Sequence, residues 1–219
     1  LKENGMLNLS PALLISRLLT LLIALTVHEF SHAFIADRFG DDTPRLNGRL
    51  TLNPLKHLDV IGSLMLILVG FGWARPVPVN PAVLRRRSSS ALMWVSLAGP
   101  ASNLILALIA ALLLRLKIFP LVTSTSFLPS PADFLYTFFL INLILMLFNL
   151  IPISPLDGEK IAESLLPPAW AERFARFQPY GPIFLMLIVF VAPRLGVDII
   201  GWIMNPAIAG LQRLLLGVS

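Results

Sequence analysis

The chain of 219 residues contains no cysteine. Disulfide staples and thiolate metal sites are therefore excluded, and any metal chemistry must use His, Asp or Glu. Charge is scarce as well. Only 13% of the residues are Asp, Glu, Lys or Arg, against about 25% in an ordinary soluble domain, so the chain lacks the polar surface needed to face water on every side. Histidine is rarer still, with three in the whole sequence. What is abundant is apolar: 56% hydrophobic residues and a mean hydropathy of +0.80. This composition describes an integral membrane protein, with residues 1–219 forming one membrane-embedded domain. The net charge of +5 comes mostly from loop arginines. In a membrane protein it reports topology, and no nucleic-acid partner is expected.

Apolar stretches cover residues 11–36, 58–72, 91–114, 134–153, 180–193 and 195–216. A hydrocarbon core needs about 20 helical residues, which the first, third, fourth and last supply. The stretch 58–72 is short, and 180–193 is short and bounded by prolines, hence tilted, broken or extended into its flanks. The expected fold is an all-α polytopic membrane protein, a bundle of about five to six transmembrane helices with a short re-entrant or β-like membrane-associated segment. No cleavable signal peptide is expected, because the first apolar stretch carries the chain's main motif.

That motif is His28-Glu29-Phe30-Ser31-His32. Helical residues four apart are offset by about 40° and one turn, so both imidazoles point to one side and can share an ion. Zinc needs three protein ligands and an open position for catalysis, and it brings bound water towards a pKa of about 7. Glu29 can take that water's proton and pass it to a leaving amine. Chance placement on a polar helix face is the competing reading. Against it, ionisable groups at this depth cost about 2.5–3.5 kcal/mol each, and two of three histidines sit at ligand spacing.

Asp157 follows the fourth stretch in Pro155-Leu156-Asp157-Gly158. By itself this is a turn signal; at the end of an apolar span unwound by prolines, its carboxylate completes a His-His-Asp set. Asn149 is an uncharged polar residue of the same span. It serves either helix–helix hydrogen bonding or the binding of a substrate carbonyl or oxyanion. For these groups to meet, the first and fourth stretches must run the same way. Residues 91–114 supply the return crossing, so 58–72 should dip in and come back. Residues 37–90 and 157–179 then share one side with eleven Lys and Arg, against four opposite, which places the motif side in the cytoplasm. Residues 45–52 and 73–79 look extended, since Pro76 and Pro78 forbid a helix interior. His57, beside Lys56 and Asp59, reads as an interfacial histidine in a turn, with a part in closing the site as the alternative. Gly99-Pro100 reads as a close-packing point against the first helix.

The combination resembles the site-2 protease family of intramembrane zinc metalloproteases. The matching pieces are the His28–His32 motif, Gly48–Pro54, Gly99-Pro100-Ala101-Ser102-Asn103, and Asn149-x-x-Pro152-x-x-Pro155-Leu156-Asp157-Gly158. The resemblance implies that His28, His32 and Asp157 bind Zn2+, that Glu29 is the general base and acid, and that Asn149 assists substrate or oxyanion binding. It further implies a bilayer-embedded enzyme, in the cell membrane, that cleaves a partly unwound transmembrane substrate. A membrane-associated β-element would pair with that substrate, here around Trp73, Arg75, Val77 and Val79. The catalytic core would span 10–160, with accessory helices over 180–216 and no inserted PDZ-like domain. A divalent-metal transporter using the same His/Asp site is the alternative, and only a hydrolase needs Glu29.

Overall fold

The architecture is that of a computed structural model, described here for residues 10–59, 61–62, 65, 72, 74–120 and 127–217. The expected dip over 58–72 falls largely outside these residues, as does Trp73.

Helix α1 spans Pro11–Arg38. Ser10 caps it by accepting from the Leu13 N–H, and Pro11 occupies the first position, where its missing N–H costs nothing. Twenty-eight residues rise about 42 Å, longer than a hydrocarbon core of about 30 Å, so one end projects. After a turn at Gly40, helix α2 covers Thr43–Leu46. This corrects the expected extended run over 45–52 at its start. Pro44 favours a helical first turn, and Asp41 accepts from the Thr43 N–H. Pro44 and the Asp41–Thr43 turn bond outweigh a weak alternation of side chains.

Helix α3 covers Pro81–Arg87, α4 Ala91–Arg115 and α5 Pro131–Asn149. Helices α1, α4 and α5 form the central bundle. Its packing is small against large: Ala107, Ala110 and Ala111 of α4 receive Phe139, Leu143 and Met146 of α5, a fit that lets two backbones approach where no water drives association. Helix α1 and α4 are antiparallel, since His32 pairs with Val95 and the earlier His28 with the later Asn103. A second cluster of Ala36, Leu84, Ala91, Leu92 and Val95 seals one end of the bundle, with Val79 packed on it.

Pro152 and Pro155 cannot continue α5, and the chain turns into α6, Asp157–Leu165. A Cβ at Gly158 would lie 2.4 Å from the Leu150 carbonyl oxygen, so glycine permits the close turn that fixes Asp157. Helices α7, Pro168–Phe177, and α8, Gly181–Met186, continue through a π turn at Leu187–Val191. Together they make one span over Pro168–Val191, so the short stretch at 180–193 is extended backwards. Helix α9, Ile199–Leu216, completes the set. Among the described residues, five helical spans are long and apolar enough to cross a membrane. No strand is present among them; Leu58 and Ala74 form one isolated antiparallel bridge.

Candidate metal centre

The C-terminal half of α1 carries His28, Glu29 and His32, all buried. Each imidazole is held through Nδ1. His28 Nδ1 lies 2.6 Å from Asn103 Oδ1, and His32 Nδ1 lies 2.7 Å from the Val95 carbonyl oxygen. A carbonyl only accepts, so His32 donates through Nδ1–H and its Nε2 keeps a lone pair. Pro100 gives no N–H to the Ser96 carbonyl four residues before it, and the adjacent Val95 carbonyl accepts the imidazole.

The two Nε2 atoms face Asp157. Its Oδ2 is 3.1 Å from His28 Nε2 and its Oδ1 is 3.3 Å from His32 Nε2. Asp157 Oδ2 is buried with no hydrogen-bond partner. With both imidazoles donating through Nδ1, lone pairs confront lone pairs, an arrangement that calls for a cation between them. All three ligand atoms lie within 4.8 Å of one another. Ligands bound at 2.0–2.1 Å to one tetrahedral ion sit about 3.3 Å apart, close to the 3.1 Å and 3.3 Å from the two imidazoles to the Asp157 oxygens.

Space for an ion comes from Gly99 of α4. A Cβ there would lie 2.4 Å from His32 Nε2 and 2.5 Å from His28 Nε2. The close-packing role read from the sequence is thus sharpened: the missing side chain leaves open the face of both ring nitrogens. The residues present therefore fit a divalent metal.

Glu29 lies beside this cluster, and its Oε2 accepts from the Val77 N–H at 3.1 Å. Val77 belongs to an extended strap, residues 74–80, tied down at several points. The Arg75 N–H donates to the His57 carbonyl at 2.8 Å, the buried Arg49 guanidinium donates to the Arg75 carbonyl, and the Asn80 N–H donates to Asp41 Oδ2 at 2.6 Å. Val77 is therefore placed against the general-base candidate, while Arg75 is bonded to His57 and Arg49 and Val79 packs on the cluster around Leu84. His57 is fully buried, with Nε2 donating to the Thr51 carbonyl at 2.7 Å. It supports the strap, and the metal-capable group among the described residues does not include it. Asn149 closes α5, its Nδ2 donating to the Leu145 carbonyl at 2.9 Å.

Sequence reasoning did not give Asn103 its contact with His28, nor Val95 its contact with His32. The signal for Asn103 was present: a neutral polar residue in an apolar span, of the kind that drew attention to Asn149. A backbone carbonyl leaves no such mark.

Comparison with known proteins agrees with this geometry. Peptidase family M50 matches over residues 16–128 and 122–191. The chain is 43% identical over 188 residues to YwhC of Bacillus subtilis, covering 85% of this chain and 83% of that protein. It is 34% identical over 184 residues to Rip2 of Mycobacterium tuberculosis, covering 83% and 67%. Both relatives are provisionally named zinc metalloproteases. No solved structure matches the chain.

Proposed function

The chain belongs to peptidase family M50, and from that premise we propose that it is a zinc-dependent intramembrane endopeptidase. The observation that carries the reading is the meeting of His28, His32 and Asp157 around the face left open by Gly99, with Glu29 beside them on a membrane-spanning helix. His28 Nε2, His32 Nε2 and an Asp157 oxygen hold the zinc. When bound, the metal supplies the Lewis acidity that makes water a nucleophile near neutral pH. Glu29 accepts a proton from the attacking water as the new C–O bond forms, and returns it to the amine nitrogen as the C–N bond breaks. The second amide hydrogen of Asn149 is available to the substrate carbonyl oxygen. The strap at 74–80 offers an extended edge beside Glu29, along which an unwound substrate strand pairs.

The substrate is a transmembrane protein, whose helix must open locally before its peptide bond can reach the site. The surplus of Lys and Arg on the motif side supports a cytoplasmic location for that end, with the chain assigned to the cell membrane.

The test is Glu29→Gln, assayed on a membrane-tethered reporter with zinc content measured in parallel. Cleavage is expected to fall about 10²–10⁴-fold, the scale of general acid–base catalysis, while zinc remains bound. A variant that binds zinc and cleaves at the wild-type rate contradicts the mechanism and favours metal transport.

A further inference from the structure

Two asparagines lie fully buried in the central bundle, Asn103 on α4 and Asn142 on α5. They form a chain: Asn142 Nδ2 to the Phe138 carbonyl at 2.8 Å, Asn103 Nδ2 to Asn142 Oδ1 at 2.9 Å, and Asn103 Oδ1 to His28 Nδ1 at 2.6 Å. Its direction is not free. A carbonyl oxygen only accepts, so Asn142 must turn its NH₂ to Phe138 and its oxygen to Asn103. Asn103 must then present NH₂ to Asn142 and oxygen to His28. His28 is left with one role, donor through Nδ1–H, and its Nε2 carries the lone pair that faces Asp157.

We propose that Asn142 is a positioning residue that, through Asn103, holds His28 in its metal-binding tautomer and orientation. His32 receives the same service directly from the Val95 carbonyl. At His28 a side chain must supply it, and an asparagine alone could turn either end to the ring. Asn142 removes that choice. In a bundle core without water, a reversed amide would leave buried groups facing donor to donor or acceptor to acceptor.

This inference rests on the zinc reading above, and one titration separates the two. The full chain is purified, stripped of metal and titrated with zinc against a competing chelator, with the unfolding temperature of the metal-free form recorded. Wild-type protein that binds no zinc overturns both readings. Asn142→Leu, similar in size but unable to accept from Asn103, is expected to bind zinc about 10–100-fold more weakly than wild type. Asn142→Asp, with a protonated carboxyl donating its O–H to the Phe138 carbonyl in place of the amide, keeps an oxygen facing Asn103 and is expected to bind close to wild type. A leucine variant with wild-type zinc affinity and only a lower unfolding temperature overturns the proposal, because asparagine would then be mere helix-to-helix glue. Equal weakening in both variants also overturns it. Should the leucine variant fail to fold, Asn142→Asp decides alone: wild-type affinity supports the proposal, and a loss beyond about tenfold overturns it.

Discussion

A methyl group at Gly99 would stand 2.4 Å and 2.5 Å from the two imidazole Nε2 atoms, far inside nonbonded contact. The neighbours it meets are the proposed ligands, each fixed by its own Nδ1 contact, so they have no room to give. Gly99→Ala is therefore expected to lower zinc content about tenfold or more, the scale on which disturbed metal sites respond, as read by elemental analysis of the purified chain. Gly210→Ala is the control. Nothing lies within 4 Å of a Cβ at Gly210, and alanine is the better helix residue by about 1 kcal/mol, so zinc should be unchanged. At this scale the sequence was most legible where the membrane penalises polarity. His28, Glu29 and His32 stood out because ionisable groups are expensive in an apolar span. Gly99 was legible as a close-packing point but not as the opening over both ring nitrogens, because that contribution is the absence of atoms at a point that only the packed bundle defines.

The strap at 74–80 works as an element. Its prolines, Pro76 and Pro78, keep it out of a helix, and the Arg75 N–H and carbonyl, the Val77 N–H and the Asn80 N–H are held by the His57 carbonyl, Arg49, Glu29 and Asp41. Arg49 is the anchor most open to test, since it is buried and gives the Arg75 carbonyl a charge-assisted bond. Arg49→Met should release that carbonyl at a cost of about 1.5–3 kcal/mol. Amide hydrogen exchange in peptides covering 75–80 should then quicken by roughly 10–150-fold, with α5 unaffected. Unchanged exchange would mean that the strap is held without Arg49. The extended character of this strap was legible from its prolines. Its anchoring was not, because hydrogen bonds from Arg49 and Asp41 join residues far apart in sequence. The neighbouring 43–46 misled for a related reason: a one-turn helix set by Pro44 and the turn in which Asp41 accepts from Thr43 carries too few residues to show a helical period.

For the whole molecule, α1 and α4 carry the residues around the metal site, α5 packs against α4, and Asp157 enters as the first residue of α6. The requirement that α1 and α5 end on the same side followed from bringing His28, His32 and Asp157 to one ion, and the fold brings those groups together. The later span, Pro168–Val191, was harder to read because charged residues at its start mask a helix that runs on through its prolines. In the proposed enzyme, residues from distant parts of the chain hold one zinc for peptide hydrolysis. Zinc content and reporter cleavage, measured together on wild type and Asp157→Ala, test it most directly. The wild type should carry one zinc per chain and cleave, while Asp157→Ala, with the histidine motif intact, should lose most of both. Full zinc and undiminished cleavage in Asp157→Ala would contradict it.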